Sequence, residues 1–348
     1  VRQFGYLLIR AMVVIVLFVL TMNLLLHRPV IESVLFAVAL AVGLSPELLP
    51  AIVSVTLSAG ARAMSQRGVI VRRLEAIENL GSMDILCTDK TGTLTRGKPT
   101  LVRVLPFGLS QEEALRLAAA LERGSEHPLA KAVLEAAESL PQAQAEEVRA
   151  LPGEGVEGRV EGRRLHLGGP ALMERLGVPL PEEAKALPEE GYTPLYLVEG
   201  TRLLAAFAVF DPPRPEAQEA VAALKALGLK LVLLTGDHPA PARRVAEALG
   251  IPEVLAGVRP EGKVEAIRRL QAEGRKVVFV GDGINDAAAL AQADVGLAMG
   301  SGTDIALEAG DVVLLTPDLR GVVNAVRLAR RTLRTIYLNF FWAYAYNV

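Results

Sequence analysis

Three short apolar runs, each followed by small polar residues and an aspartate, constrain the fold of this 348-residue chain more than any other feature. They are residues 83–87 before Thr88 and Asp89, 230–234 before Thr235, Gly236 and Asp237, and 277–280 before Gly281 and Asp282. Residues 312–315 form a fourth candidate strand, and helical patterns lie between at 215–227, 240–249 and 262–273. Strands that alternate with helices predict a parallel, doubly wound α/β sheet.

The aspartates at the strand ends indicate a phosphoryl-transfer site. Ligands of such a sheet bind outside the carboxyl ends of its strands, so Asp89, Thr235, Asp237 and Asp282 are expected to converge. A carboxylate there can attack the terminal phosphate of ATP and form an aspartyl phosphate. One such aspartate alone would be typical of a turn or a helix cap, whereas three at strand ends favour chemistry.

Further groups in the same segments suit that reaction. Asp89 and Asp282 can hold Mg²⁺, which prefers a few hard oxygen ligands. Other groups can hold phosphoryl oxygens through a hydroxyl, a backbone N–H or a positive charge: Thr91, Thr235, Gly92, Gly236 and Lys263.

The first part of the chain has the composition of a membrane segment. Hydrophobic residues make up 51% of the sequence, and residues 11–26 and 30–57 are almost wholly apolar, which predicts a transmembrane hairpin. Arginine clusters at 62–73 and 327–334 flank the polar middle, which places that middle on the cytoplasmic side of a multi-pass cell-membrane protein. The final run, residues 336–348, resembles the start of another span. A buried hairpin of a large soluble protein is the alternative.

The second apolar segment contains a candidate ion path, LSPELLP. Pro46 and Pro50 interrupt helical hydrogen bonding, and unwound backbone within a membrane is tolerated where it lines a cavity. Glu47 adds a carboxylate deep in the bilayer, where an ionisable side chain is costly in free energy. Pro46 and Glu47 are therefore candidate contacts for a transported ion. The alternative is a proline kink whose glutamate is satisfied by a neighbouring helix.

The net charge of −2 gives no reason to expect nucleic acid as a partner.

Four motifs then resemble those of the P-type ATPases. They are DKTGTLT at residues 89–95, TGD at 235–237, GDGIND at 281–286 and the hinge-like DPPR at 211–214. The resemblance implies a haloacid-dehalogenase-like (HAD-like) phosphorylation domain that uses ATP and Mg²⁺, with Asp89 as the nucleophile. It assigns Mg²⁺ to Asp89, Thr91 and Asp282. The other catalytic positions that it implies are Lys90, Thr235, Gly236, Asp237, Lys263, Asn285 and Asp286.

Residues 99–207 lack these motifs and would form an inserted α+β nucleotide-binding domain. Its SEHPLA and GEGV segments resemble the heavy-metal-transporting branch, which implies nucleotide contacts for Glu122, His127, Gly153 and Gly155. The asparagine of that branch, expected near residues 168–169, is missing. The remaining expected units are a transmembrane hairpin (1–58), two parts of the phosphorylation domain (59–98 and 208–335) and the start of a further transmembrane helix (336–348).

The nature of the transported ion is ambiguous in the sequence. The heavy-metal branch places a cysteine beside the proline of the broken helix, but the single cysteine, Cys87, lies on the strand before Asp89. SPELLP, together with residues 70–93, resembles the magnesium-transporting branch, and carboxylate and carbonyl oxygens suit hard cations. Magnesium is therefore the first expectation and a copper- or zinc-type heavy metal the alternative. A soluble HAD-type phosphatase and a non-catalytic membrane subunit are less favoured.

The chain also reads as a fragment. It begins at Val1 and stops within an apolar aromatic run. The actuator domain and the remaining membrane helices of a P-type ATPase are expected as missing parts of the same protein. The other expected partners are a lipid bilayer and the transported cation. A fragment of this kind is not expected to complete transport alone.

Overall fold

The computed structural model describes residues 2–43, 49–282, 284–300 and 304–347. Three helices come first: α1 (Arg2–Leu25), α2 (Val30–Gly43) and α3 (Leu49–Ser65). Among the described residues, no helix combines the length and the apolar character that crossing a bilayer requires. The predicted transmembrane segments at 1–58 and 336–348 are therefore not confirmed. Pro46 and Glu47, the predicted ion contacts, lie outside the described residues.

The remaining elements alternate between strands and helices. The strands are β1 (Val69–Val71), β2 (Ile85–Thr88), β3 (Thr100–Pro106), β4 (Ala145–Leu151), β5 (Gly155–Val160), β6 (Arg163–Gly168), β7 (Thr193–Glu199), β8 (Arg202–Phe210), β9 (Lys230–Leu234), β10 (Glu253–Leu255), β11 (Val277–Gly281), β12 (Val295–Ala298) and β13 (Val312–Leu314). The helices are α4 (Glu75–Gly81), α5 (Gln111–Glu122), α6 (Pro128–Ala136), α7 (Pro170–Leu176), α8 (Glu182–Glu189), α9 (Ala217–Ala226), α10 (Pro239–Leu249), α11 (Pro260–Ala272), α12 (Ala287–Gln292), α13 (Asp304–Ala309) and α14 (Arg320–Asn347).

Seven strands form one sheet in the order β1-β13-β12-β11-β2-β9-β10. Adjacent strands of this sheet are parallel, except that β1 pairs antiparallel with β13 at the edge. From β2 the chain proceeds to β9 and β10 on one side, and then crosses to β11, β12 and β13 on the other. The strand order therefore reverses between β2 and β11, which is the point where doubly wound sheets bind ligands.

Both faces of this sheet are buried, as the continuous apolar runs predict. On β2, Leu86 contributes to a core formed with α4, α9, α10 and α14, whereas Ile85 and Cys87 face a core formed with α11 and α12. The predicted parallel doubly wound sheet is thus confirmed, and the three aspartate-terminated runs are its strands β2, β9 and β11.

Strands β3 to β8 form a separate six-stranded antiparallel sheet in the order β3-β8-β7-β6-β5-β4. Helices α5 and α6 cover one face around Phe207, and α7 and α8 cover the other around Tyr196. Alternate residues of β7 and β8 enter the two cores, because successive side chains of a strand point to opposite faces. This α+β unit interrupts the first sheet between β2 and β9, and its last strand ends at Phe210, whereas the sequence placed that end at residue 207.

Helices α3 and α14 pack together against the seven-stranded sheet. Leu57 and Met64 of α3 and Ile336 and Phe340 of α14 belong to the same buried cluster as the sheet. The two helices approach closely at Gly60, where an added Cβ would lie 2.5 Å from Thr332 Oγ1. Helices α3 and α14 are therefore fixed to the domain that carries Asp89.

Candidate active site

Asp89 lies at the carboxyl end of β2, next to the point where the strand order reverses. Its backbone N–H donates a hydrogen bond of 2.9 Å to the carbonyl of Val280, which continues the pairing of β2 with β11. Only 8% of the residue is exposed. Its carboxylate Oδ2 accepts a hydrogen bond of 2.9 Å from the backbone N–H of Thr91. The candidate nucleophile is thus fixed at one edge of the sheet and largely shielded from water.

Lys263, in the first turn of α11, joins two buried carboxylates. Its Nζ donates to Asp89 Oδ1 at 2.6 Å and to Asp286 Oδ1 at 2.8 Å. Burial raises the pKa of Asp89 to about 7, while the Lys263 ammonium opposes that rise and the Asp286 carboxylate adds to it. Burial alone would lower the pKa of Lys263, but the two carboxylates raise it, so Lys263 stays charged. Lys263 is therefore the group that keeps Asp89 ionisable near neutral pH.

Asp237, beyond the end of β9, connects a second set of polar groups to Asp89. Its Oδ2 accepts hydrogen bonds of 3.1 Å from the hydroxyls of Thr91 and Thr235. The same oxygen pairs with Lys90 Nζ at 2.9 Å. Burial would raise the pKa of Asp237, but the Lys90 ammonium and these hydrogen bonds lower it overall. Asp237 therefore stays ionised and fixes the loop that follows Asp89.

Three carboxylates gather where β2 and β11 end. Asp89, Asp282 and Asp286 each offer an oxygen, and these oxygens lie within 4.8 Å of one another. The backbone N–H of Asp282 donates to Asp286 Oδ2 at 3.3 Å. Burial, together with the neighbouring Asp286 carboxylate, raises the pKa of Asp282 to about 6. Crowded carboxylates of this kind are stabilised by a cation.

Mg²⁺ fits this group of oxygens. It binds hard oxygen ligands and is commonly held by one or two carboxylates together with substrate phosphates. Asp89 and Asp282 would hold it, as predicted. The hydroxyl of Thr91 is directed to Asp237, so the contribution of Thr91 to the metal site stays a prediction.

Gly92 and Gly281 make room for the cluster. Gly92 has φ +74°, and a Cβ there would lie 1.9 Å from Asp282 Oδ2. At Gly281 a Cβ would lie 2.6 Å from Asp286 Oδ2. A side chain at either position would displace a carboxylate of the site. The two other predicted catalytic residues, Gly236 and Asn285, lie at the same edge of the sheet and are exposed.

A set of contacts that the sequence did not predict holds the loop after Asp89 from the side of the DPPR segment. Asp211 Oδ2 accepts hydrogen bonds from Thr95 Oγ1 at 2.6 Å and from the Gly97 N–H at 3.2 Å. Arg214 Nη2 donates to the Gly92 carbonyl at 2.6 Å. The sequence signal was present, because DPPR resembles a hinge motif, but its partners are more than 110 residues away and leave no local pattern.

The predicted nucleotide residues lie in the six-stranded domain. Glu122 ends α5 and is buried, which raises its pKa, although Ser125 and His127 lower it in part. His127 precedes α6, and its Nδ1 accepts a hydrogen bond of 3.2 Å from the Leu129 N–H. Gly153, with φ +76°, has open space around its Cβ position. By contrast, a Cβ at Gly155 would lie 2.1 Å from the Leu167 carbonyl, so packing of β5 against β6 already requires this glycine.

The sheet order and the aspartate cluster agree with the comparisons to known proteins. A model of the haloacid dehalogenase-like hydrolases matches residues 83–294. The chain belongs to this family.

Its relatives within the family are P-type ATPases. Copper-transporting ATPase 1 of Rhizobium meliloti (strain 1021) is 45% identical over 295 residues, which are 83% of this chain and 36% of that protein. Copper-exporting P-type ATPase B of Archaeoglobus fulgidus is 40% identical over 301 residues, 86% of this chain and 43% of the relative. The crystal structure of a zinc-transporting PIB-type ATPase in the E2.Pi state superposes with a TM-score of 0.81 and 36% identity over 99% of this chain and 57% of that one. The chain thus spans about two-fifths of the length of these curated relatives.

Proposed function

We propose that this chain is the catalytic part of an ATP-driven heavy-metal pump that phosphorylates itself on Asp89. The observation that carries the proposal is the buried Asp89 carboxylate, which is held 2.6 Å from the Lys263 ammonium where the strand order reverses. The similarity of the chain to P-type ATPases over 295 and 301 residues supports it.

The reaction begins with an ionised Asp89. A carboxylate oxygen forms a bond to the γ-phosphorus of ATP, the bond from that phosphorus to the bridging oxygen breaks, and ADP leaves with the electron pair. The Lys263 ammonium holds the negative charge on Asp89 and faces the position where phosphoryl oxygens gather charge. The Thr91 N–H and the hydroxyls bound to Asp237 fix the geometry of the loop.

Mg²⁺ held by Asp89 and Asp282 would supply further neutralisation of the phosphoryl charge. The nucleotide itself would bind to the six-stranded domain. Glu122 and the exposed ring of His127 would contact the adenine, and the open Gly153 turn would let the backbone approach the nucleotide.

For the transported ion, a heavy metal replaces magnesium, which was the first expectation. Magnesium was favoured from SPELLP together with residues 70–93, but the matched relatives carry copper or zinc in their names. Similarity over 295 and 301 residues outweighs these two short resemblances. A copper- or zinc-type heavy-metal cation is therefore the proposed cargo, with Pro46 and Glu47 as candidate contacts in its path. The complete protein would be a multi-pass cell-membrane protein with its catalytic domains in the cytoplasm.

The phosphorylation is tested by incubating the complete protein with γ-labelled ATP and quenching in acid. An acid-stable label that hydroxylamine removes is the expected product, and Asp89→Asn should abolish it. Arg243→Ala, an exposed position on α10, is the matched control. Persistence of the label in Asp89→Asn would disprove the assignment of the nucleophile.

The cargo is tested separately, by measuring metal-stimulated ATP hydrolysis of the complete protein at constant Mg²⁺. Stimulation by Cu⁺, Ag⁺ or Zn²⁺ is expected, and Glu47→Ala should reduce it without changing phosphorylation from the nucleotide side. Absence of stimulation by all three heavy-metal ions would contradict the proposed cargo.

A further inference from the structure

A contact between the two domains lies beside one of the two chain crossings that connect them. The six-stranded domain is joined covalently to the seven-stranded domain through residues 95–100 and 210–214, and the hydrogen bonds of Asp211 lie at these crossings. A third point of contact is formed by Arg244 of α10, which meets the loop between α8 and β7.

The Arg244 guanidinium makes directional bonds to that loop. Its Nη1 donates to the Glu190 carbonyl at 2.6 Å, and its Nη2 donates to the Tyr192 hydroxyl at 2.9 Å. Its central carbon lies 4.2 Å from the Tyr192 ring centroid and 5.0 Å from that of Phe210. One cation thus contacts two rings and two oxygens, which a flexible ammonium cannot match because it lacks the planar fork.

The loop is shaped for this approach. Gly191 has φ +82°, and a Cβ there would lie 2.8 Å from Arg244 Cβ and 3.0 Å from the Ala240 carbonyl. On the side of the six-stranded domain, Arg103 pairs with the Glu190 carboxylate and lies 5.2 Å from the Tyr192 ring centroid. The loop is therefore anchored in its own domain and fitted to α10.

The position of α10 relates this contact to the candidate active site. The helix begins at Pro239, two residues after Asp237, whose carboxylate holds the loop that follows Asp89. Phe210 is the last residue of β8 and directly precedes the hinge residue Asp211. The Arg244 side chain thus contacts the six-stranded domain and the residue before the hinge, and it lies on the helix that follows Asp237.

We infer that Arg244 is a positioning residue for phosphoryl transfer, because it fixes the orientation in which the six-stranded domain presents ATP to Asp89. This inference rests on the proposed function. Two chain crossings alone form a hinge, and a third contact removes its main freedom of rotation. Small misplacements of reacting groups reduce rates by about 100-fold, so the contact affects the transfer step and leaves nucleotide binding within the domain intact.

The experiment compares two phosphate donors in the full chain. Arg244→Ala should slow phosphoenzyme formation from saturating ATP about 10-fold or more, with the ATP dissociation constant changed less than about 2-fold. Acetyl phosphate reaches Asp89 without the six-stranded domain, so labelling from this donor should be unchanged. Arg244→Lys should restore the ATP rate only in part, and the exposed neighbour Arg243→Ala should behave as wild type.

A second measurement reports the orientation without turnover. Spin labels at Glu138→Cys and Glu273→Cys, both exposed positions, give the distance between the two domains, and the buried Cys87 stays unlabelled. Arg244→Ala should broaden the distance distribution. An unchanged distribution, an unchanged or raised ATP rate, or an equal loss with both donors would overturn the inference. Failure of wild type with both donors would instead reject the proposed function, while the distance measurement would still test the contact.

Discussion

Replacing Lys263 with methionine removes the charge that holds Asp89 ionised while keeping much of the side-chain volume. Lys263 is 5% exposed and donates to both Asp89 and Asp286. Without its ammonium, the carboxylates of the cluster lose their closest cation. Only the ionised form of Asp89 attacks phosphorus, so the variant tests whether this ion pair sets the reactivity of the nucleophile.

The magnitude follows from the pKa of Asp89. Burial raises it to about 7 in the intact site, where Lys263 opposes the rise. An opposite charge in contact lowers a carboxyl pKa by about 1–3, so Lys263→Met should bring the pKa of Asp89 to about 8–10. The ionised fraction at pH 7 then falls from about one-half to between roughly one-tenth and one-thousandth. Phosphoenzyme formation at pH 7 should slow about 5- to 500-fold for this reason alone.

The assay is the single-turnover rate of phosphoenzyme formation between about pH 5.5 and 9.5, chosen to bracket these pKa values. Wild type should rise through a midpoint near 7, and Lys263→Met should rise at higher pH and recover part of its rate there. Since breaking a buried ion pair costs about 3–5 kcal/mol, thermal unfolding must establish that the variant is folded at the assay temperature. Lys185→Met, which removes an exposed pair with Glu182, is the control. A midpoint that stays near pH 7 would refute the assigned role of Lys263.

Three further outcomes are expected. Asp282 has a folded pKa of about 6, above its ordinary value of 3.8, so its charge destabilises the fold as pH rises from about 4 to 6. Asp282→Asn should therefore raise the melting temperature at pH 7 by a few degrees, on the order of 1–2 kcal/mol, abolish phosphorylation and weaken the stabilisation by Mg²⁺; a lower melting temperature would contradict this. Gly155→Ala should weaken ATP binding about 10-fold or more, because the added Cβ would lie 2.1 Å from the Leu167 carbonyl. Calorimetry measures this affinity, and an unchanged value would show that β5 and β6 adapt to the side chain. Burial raises the pKa of the Cys87 thiol to about 12, so iodoacetamide should modify it only after unfolding, and rapid labelling of folded protein by mass spectrometry would show an open site.

The sequence anticipated the central sheet because its strands carry local signals. The runs before Asp89, Asp237 and Asp282 are continuously apolar, as both faces of a covered sheet demand. Polar residues follow each run, so the edge at which ligands bind could be predicted together with the strands. The three-residue edge strands β1 and β10 could not, because they are too short to show a period and depend on their partners for pairing.

The interactions that complete the site were beyond sequence reasoning. The bond from Thr95 to Asp211 joins residues 116 positions apart, and that from Thr91 to Asp237 spans 146. Neither has a periodic signature, because both depend on how the sheet brings loops together. The resemblance of Gly155 to a nucleotide motif likewise gave no sign of the packing requirement between β5 and β6, while its nucleotide role stays a prediction.

Helix α14 is a long helix attached to the domain that carries Asp89. Its 28 residues correspond to roughly 42 Å of helix, and its buried residues from Val322 to Phe340 share the core beneath the seven-stranded sheet. A tilt of about 5° at the sheet would move the far end by roughly 4 Å, simply from the length of the helix. Since α3 packs against α14 at Gly60, the two helices would move together. A small tilt of α14 at the sheet would therefore become a larger displacement at its apolar aromatic end.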